Sequence, residues 1–527
     1  MNESDKCDIY NTLFHWSSLK LKLVIEGIAV GLITGLIVVL YRFLLEKSVI
    51  FIDNIYIALK SQYWLIPLWV FVLVLIGYGV GRLVKNEPMI SGSGIPQVEG
   101  VLTRKLEMVW WKVILGKFFG GVLTIGSGLS LGREGPSVQL GAAVGQGFGK
   151  IFRRIKLEEK FLITSGASAG LSAAFNAPLA GAMFSLEEVH KNFSPLVLLS
   201  SLSAALTANF VSSEFLGLKP VFDFKNVSVL PLQYYLYIIV LGIIIGGLGV
   251  LFNKALLGTQ TIYAKQKWLN QQFRIIVPLL CSVALGFTLP QVLGGGHELI
   301  GSLIKANFTI KFLIILLVIK FLFTMVSYGS GAPGGIFLPL LAIGALIGNI
   351  YGNVLIDIFH FDNSYLSNFI ILAMAGYFTA VVRAPITGSI LITEMTGSLS
   401  HLMSLALVSI VAYIVADLLG EGPIYESLLN RFLNRNTGDK FQGSRHNKVL
   451  LEIAVCMGSI IDEKRIKEIT WPQNCLLVAV KRGKTEIIPE GNTLLTTGDY
   501  LIVLTNEDES EKITNELLGM SKSLELA

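Results

Sequence analysis

The chain has 527 residues, 53% of them hydrophobic and 15% charged, with a mean hydropathy of +0.65 and a formal net charge of +5. Soluble proteins carry about 25% charged residues, so a soluble enzyme is excluded, and so small a net charge gives no basis for nucleic-acid binding. What remains is a membrane protein.

The N-terminal stretch, with Glu3 and Asp5 ahead of a long apolar span and no small-residue cleavage site, does not read as a signal peptide. Lys20 and Lys22 then flank the first of about a dozen apolar windows, near 23–45, 63–84, 113–131, 136–151, 161–186, 194–216, 233–256, 274–292, 309–328, 335–356, 367–393 and 402–420. A crossing helix needs roughly 20 apolar residues, and the windows lack the apolar/polar alternation of a membrane barrel. An all-α polytopic membrane protein is expected, with short basic clusters marking the inner face. After Arg431 charges become frequent, the apolar runs shrink to strand length, and alternation appears in 450–456, 475–481 and 500–505. A small C-terminal α+β domain follows from that change. The expected division is a transmembrane domain over 1–433, a polar linker over 434–448 and the small domain over 449–527. Cys7, Cys281, Cys456 and Cys475 are far apart without CxxC spacing, and six histidines are scattered, so neither a disulfide framework nor a metal site is expected.

The apolar region repeats itself. Glu26–Gly31 resembles Leu241–Gly246, Lys117–Phe119 resembles Lys320–Leu322, and the breaks GSGLSLGREGP (126–136) and GSGAPGGIFLP (329–339) correspond. AGLSAAFNAPLAGAMFSLEE (169–188) likewise resembles AGYFTAVVRAPITGSILITEM (375–395). Matches in the same order argue for duplicated halves, about 20–225 and 233–430. Paired glycine- or proline-broken apolar segments mark the transport site of membrane transporters.

Three breaks carry the chemistry: Gly92-Ser93-Gly94-Ile95-Pro96, Gly132-Arg133-Glu134-Gly135-Pro136 and Gly335-Ile336-Phe337-Leu338-Pro339. Each joins small residues to a proline near an expected helix start, where a missing N–H costs nothing. Helices starting in mid-membrane present unpaired N–H groups and a positive dipole end, which hold a small anion without the grip of a full lysine charge; conduction needs such weak sites. Ser93 adds a hydroxyl donor. Glu134 would compete with the anion when charged and release the site when protonated; the alternative is a plain ion pair with Arg133. Of the adjacent Glu187 and Glu188, the repeat pairs Glu187 with Glu394 as shared scaffold and leaves Glu188 opposite Met395, so Glu188 is assigned to proton work, against a solvated helix-end carboxylate. Tyr425 either points its phenol inward or anchors at the interface. Glu99, Lys117 and Lys320 read as members of helix-holding ion pairs, and His297 as a loop residue.

GSGIP, GREGP and GIFLP, with Tyr425 behind them, resemble the selectivity-filter segments of the CLC family of chloride channels and proton-coupled chloride antiporters, and the likeness runs from about residue 20 to 430. The resemblance implies inverted halves of broken helices and a homodimer with one pore per subunit. It assigns anion coordination to Ser93 and Tyr425 and to the amides of Ile336 and Phe337, the external gate to Glu134 and internal proton transfer to Glu188. Gly92, Gly94, Ile95, Pro96, Gly132, Arg133, Gly135, Pro136, Gly335, Leu338 and Pro339 complete the filter. An acid at position 188 implies an H+/Cl− antiporter; a bacterial plasma membrane and no cofactor are expected. The alternatives are a passive voltage- or pH-gated chloride channel and a membrane sensor with a vestigial pore. Ser93 in place of proline resembles chloride-preferring members, and the intact Gly132-Arg133-Glu134 argues against the fluoride-exporting branch. Residues 449–520 resemble the RCK C-terminal (TrkA-C) fold, which implies a cytoplasmic regulatory or dimer-forming module for a small ligand of unknown identity.

Overall fold

The computed structural model describes residues 3–436 and 448–521 apart from 192, 219, 223, 225, 226, 228, 267–269, 307, 484, 507 and 508. The chain divides into two compact units, Met1–Asn436 and Thr437–Ala527.

The first unit is helical. Its first half runs α1 (Glu3–Ser61), α2 (Ile66–Asn86), α3 (Ile95–Leu102), α4 (Trp110–Gly126), α5 (Glu134–Ile151), α6 (Lys156–Phe175), α7 (Pro178–Phe184) with a π-helical turn at Ser185–His190, and α8 (Pro195–Leu216). The second runs α9 (Tyr235–Lys265), α10 (Ile276–Thr288), α11 (His297–Lys305), α12 (Ile310–Gly329), α13 (Phe337–Phe359), α14 (Leu366–Val382), α15 (Pro385–Thr396) and α16 (Leu402–Leu418); α17 (Ile424–Asn436) follows. The duplication is visible in the packing: α1 meets α6 and α8 as α9 meets α14 and α16, α5 meets α4 and α6 as α13 meets α12 and α14, and α7 meets α15 across the seam.

Eight of the described helices are long and apolar enough to cross a membrane, fewer than the dozen windows, because several windows break. The window at 161–186 turns at Asn176 (φ 53) into α6 and α7, and that at 367–393 turns at Arg383 (φ 72) into α14 and α15. Both left-handed residues precede an Ala-Pro pair. Proline at the first helical position restarts the helix without losing a hydrogen bond. Glycine sets the closest crossing: a side chain at Gly141 of α5 would strike the Gly166 carbonyl of α6, and one at Gly166 the Gly141 carbonyl. Such small-residue contacts let membrane helices associate where the hydrophobic effect is absent.

The second unit holds four antiparallel strands in the order β1 (Lys448–Ala454), β4 (Asp499–Asn506), β2 (Cys475–Arg482), β3 (Thr485–Ile487), with α18 (Ser510–Ser521) at the end. Ile453, Val480, Leu501 and Val503 form its core with Ile513 and Leu517 of α18. Helix α17 continues to Asn436 and β1 begins at Lys448, so the expected linker shortens at both ends; its residues 437–447 lie outside the described residues.

Candidate functional site

Helix α3 starts behind Gly94, whose φ of 94 only glycine adopts freely. Pro96 sits in its first turn, as Pro136 does near the start of α5 and Pro339 near that of α13. All three helix starts are buried within the first unit.

The three breaks converge. Gly132 and Gly335 exchange backbone hydrogen bonds in both directions, each 2.7 Å, as an isolated antiparallel bridge. Gly92 accepts from the Gly334 amide at 2.9 Å and donates to the Gly331 carbonyl at 3.4 Å. A side chain at Gly135 would strike Ser93, and one at Gly335 would crowd the Gly135 amide.

Ser93 Oγ and Tyr425 Oη are buried and make no hydrogen bond among the described residues. The ring of Tyr425 stands edge-on to Phe184 at 6.5 Å, and Phe184 stands edge-on to Phe337 at 6.2 Å, so Tyr425 faces inward and is not an interfacial anchor. Neither hydroxyl is taken up by another described side chain or by the backbone. Ile336 caps α13, and Phe337 is its first residue.

Glu134 is fully buried at the first position of α5. Arg133 pairs at 3.5 Å with Glu46. Neither oxygen of Glu134 completes a hydrogen bond among the described residues. A side chain at Gly132 would meet both Glu134 Oε2 and the Leu338 amide, so the carboxylate lies beside the N-terminal amides of α13. Glu188 is buried in the π turn, with Oε1 unpartnered. Glu187, its neighbour, bonds to the amides of Ile386 and Thr387.

Two lysines correct their expected role. Lys117 Nζ donates to the carbonyls of Ile90 and Gly92 at 3.0 and 2.6 Å, and Lys320 Nζ to those of Val292 and Gly294 at 2.9 and 2.7 Å. They brace equivalent breaks in the two halves. Glu99 does form an ion pair, with Lys191 at 2.8 Å. His297 opens α11 and stacks on Phe222.

Tyr328 is the residue that sequence reasoning missed. Buried at the end of α12, its Oη accepts from the Ser93 amide at 3.4 Å. It lines, with Ser91, Gly92, Gln97, Arg274 and Arg431, a cavity of about 80 Å³ beneath the α3 break. Its position one residue before Gly329, where the third break's glycine-rich run begins, was the available signal. Among the described residues no cluster of three or more metal-ligating side chains occurs.

A family model described as voltage gated chloride channel matches residues 79–417, and one described as TrkA-C domain matches 450–518. The chain is 33% identical to the H(+)/Cl(−) exchange transporter ClcA of Citrobacter koseri, over 84% of this chain and 95% of that protein. It is 35% identical to the protein of the same name from Salmonella arizonae, over 80% and 90%. Among solved structures, a slow cyanobacterial Cl−/H+ antiporter superposes with a TM-score of 0.74 at 30% identity, covering 79% of this chain and 99% of that one. A CLC-type fluoride/proton antiporter superposes at 0.64 and 26%, covering 78% and 98%.

Proposed function

This chain belongs to the voltage gated chloride channel family, and from that premise we propose that it is a secondary active transporter exchanging chloride for protons. The observation that carries the reading is Glu134: a buried carboxylate at the meeting point of three amide-rich helix starts, in no hydrogen bond or ion pair among the described residues. Helix N-termini favour an anion, and charged Glu134 fills that role at the start of α13. Protonated, it has no reason to stay, and chloride takes its place on the amides of Ile336 and Phe337 and the hydroxyls of Ser93 and Tyr425. Gly92, Gly94, Ile95, Pro96, Gly132, Arg133, Gly135, Pro136, Gly335, Leu338 and Pro339 shape the filter by fixing those amides. Anion entry and proton binding therefore exclude each other at one carboxylate, which couples the two fluxes. Glu188 is the second proton station, reached from the inner side, and the cavity bearing Arg274 and Arg431 is the inner anion entrance.

The protein acts in a bacterial plasma membrane, as a homodimer in lipid, with the second unit in the cytoplasm. The basic residues around 150–160 support the sidedness: Lys22 pairs with Glu158 at 2.8 Å and Arg154 pairs with Glu26, which puts the start of the first span and the α5–α6 turn on one positively charged face. The second unit serves as a regulatory or dimer-forming module for a small ligand. No catalytic step and no cofactor enter this mechanism.

The test is proton movement driven by a chloride gradient in liposomes. Wild type pumps protons; Glu188→Ala abolishes proton movement while chloride flows, and Glu134→Ala leaves chloride flux uncoupled and insensitive to pH. Chloride flux without proton movement at any pH would leave a passive channel.

A further inference from the structure

Lys191 is the first residue past the π turn and adopts a left-handed conformation, φ 54. Its Nζ lies 2.8 Å from Glu99 Oε1 and 3.7 Å from Glu426 Oε2. One ammonium thus ties three elements, and each carries part of the transport site: α3 begins two residues after Ser93, the π turn holds Glu188, and on α17 Glu426 directly follows Tyr425. Lys191 is three residues past Glu188, and Glu99, Glu187 and Glu426 are the other charged side chains around that carboxyl.

The surroundings are crowded with carboxylates. Glu187 is committed to the amides at the start of α15. His190 meets Thr164 of α6 at 2.9 Å and has Lys160 as its charged neighbour. Glu99 and Glu426 are the pair Lys191 engages, with side chains 6% and 30% exposed. Glu188 keeps an oxygen without a hydrogen bond. A fixed cation among carboxylates sets the local charge that a neighbouring acid meets.

We infer that Lys191 is a positioning residue for the proton route: by pairing with Glu99 and Glu426, it sets the geometry and charge around Glu188, the carboxyl of this cluster that exchanges protons with the inner side. The inference rests on the antiport reading of Glu188. Lys191 touches neither chloride nor the transferred proton; it sets the charge and the geometry around the group that does.

The experiment compares wild type, Lys191→Met, Lys191→Arg and Glu426→Gln in liposomes, recording chloride and proton flux against inner pH. Removing an opposite charge from the neighbourhood of a carboxyl moves its titration toward alkaline pH, by about one unit for a close neighbour. Lys191→Met moves the midpoint of proton flux in that direction and lowers the proton-to-chloride ratio. Lys191→Arg restores both. Glu426→Gln, which removes a negative charge from the same cluster, moves the midpoint toward acid. Equal losses of both fluxes in Lys191→Met at an unchanged midpoint mean a purely structural staple and overturn the inference, as does an unmoved midpoint in Glu426→Gln should the lysine variant fail to fold. A wild type that moves no protons overturns the antiport reading and this inference together, whereas a coupled wild type beside unshifted variants overturns this inference alone.

Discussion

Glu187 and Glu394 each cap the helix that carries the other. Glu187, on the π turn that continues α7, accepts from the amides of Ile386 and Thr387 at the start of α15, at 3.2 and 2.7 Å, and from the Thr387 hydroxyl at 2.7 Å. Glu394, on α15, accepts from the amides of Leu179 and Ala180 at the start of α7, at 3.1 and 2.8 Å. The reciprocity is a local two-fold relation between the halves, and it accounts for a glutamate at both positions of the repeat.

The first prediction separates Glu187 from the adjacent Glu188. Removing a capping side chain costs about 0.5–2 kcal/mol, and a carboxylate at a helix N-terminus adds its dipole interaction. Glu187→Ala and Glu394→Ala should each lower the thermal midpoint of the detergent-solubilised protein. Glu188→Gln should leave it near wild type while abolishing proton flux. If Glu188→Gln proves the most destabilising of the three, its assignment to proton work is wrong.

Tyr328 provides the second. Its phenol accepts the Ser93 amide at 3.4 Å, and that amide lies one residue before the glycine cap of α3. On the proposed path, an anion arriving from the cavity that Tyr328 lines passes this N–H, which the phenol occupies. A net hydrogen bond is worth about 0.5–1.5 kcal/mol, so Tyr328→Phe should lower the chloride concentration for half-maximal flux by about two- to tenfold, with the proton-to-chloride ratio unchanged. Initial flux against chloride concentration decides it; an unchanged half-maximal concentration means the phenol does not compete.

The buried lysines give the third, through an asymmetry. Lys117 and Lys320 are both fully buried, and each donates to two carbonyls of a break. A stranded carbonyl costs about 1–3 kcal/mol; Lys320→Met strands those of Val292 and Gly294, whereas Lys117→Met strands that of Ile90 and leaves Gly92 its bond from the Gly334 amide, so both should destabilise the protein, Lys320→Met the more. Only the first braces the break that bears Ser93. Lys117→Met should therefore also weaken chloride binding, measured calorimetrically on whatever protein remains folded, whereas Lys320→Met should bind chloride as wild type does.

These cases mark how much could be read before the fold was known. The pentapeptides around Ser93, Glu134 and Phe337 were legible because glycine and proline in an apolar run have few other uses, and the repeat was legible because its halves keep the same order. The partners were not. A lysine in an apolar window looks the same whether it meets a carboxylate or two carbonyls, and the reading of Lys117 and Lys320 as ion-pair members failed on that point. The mutual bonds of Gly132 and Gly335 join residues 203 apart through backbone atoms alone, so no side-chain pattern announces them. Tyr328 was hidden because an aromatic ending an apolar helix is ordinarily packing.

The last prediction concerns the second unit. Asp499, with a side chain 1% exposed, receives Arg482 in a two-pronged pair, Nε to Oδ1 and Nη2 to Oδ2, each 2.7 Å, and the Thr496 amide at 2.9 Å. Burial pushes the carboxyl up, but the hydrogen bonds from Arg482 and Thr496 together with the guanidinium charge outweigh it and hold Asp499 below the ordinary aspartate value. A depressed carboxyl stabilises the fold above its unfolded value, about 3.9, and the contribution disappears as pH falls through the lower folded value. Asp499→Asn should therefore speed amide exchange in β1, β2 and β4 of the full-length protein at neutral pH, because the network loses charged hydrogen bonds worth about 1.5–3 kcal/mol each. The gap between variant and wild type should hold from neutral pH down to about 4 and close below it. A gap that persists at pH 2 would mean that the pair stabilises the domain by shape and packing, and that the charge on Asp499 contributes little.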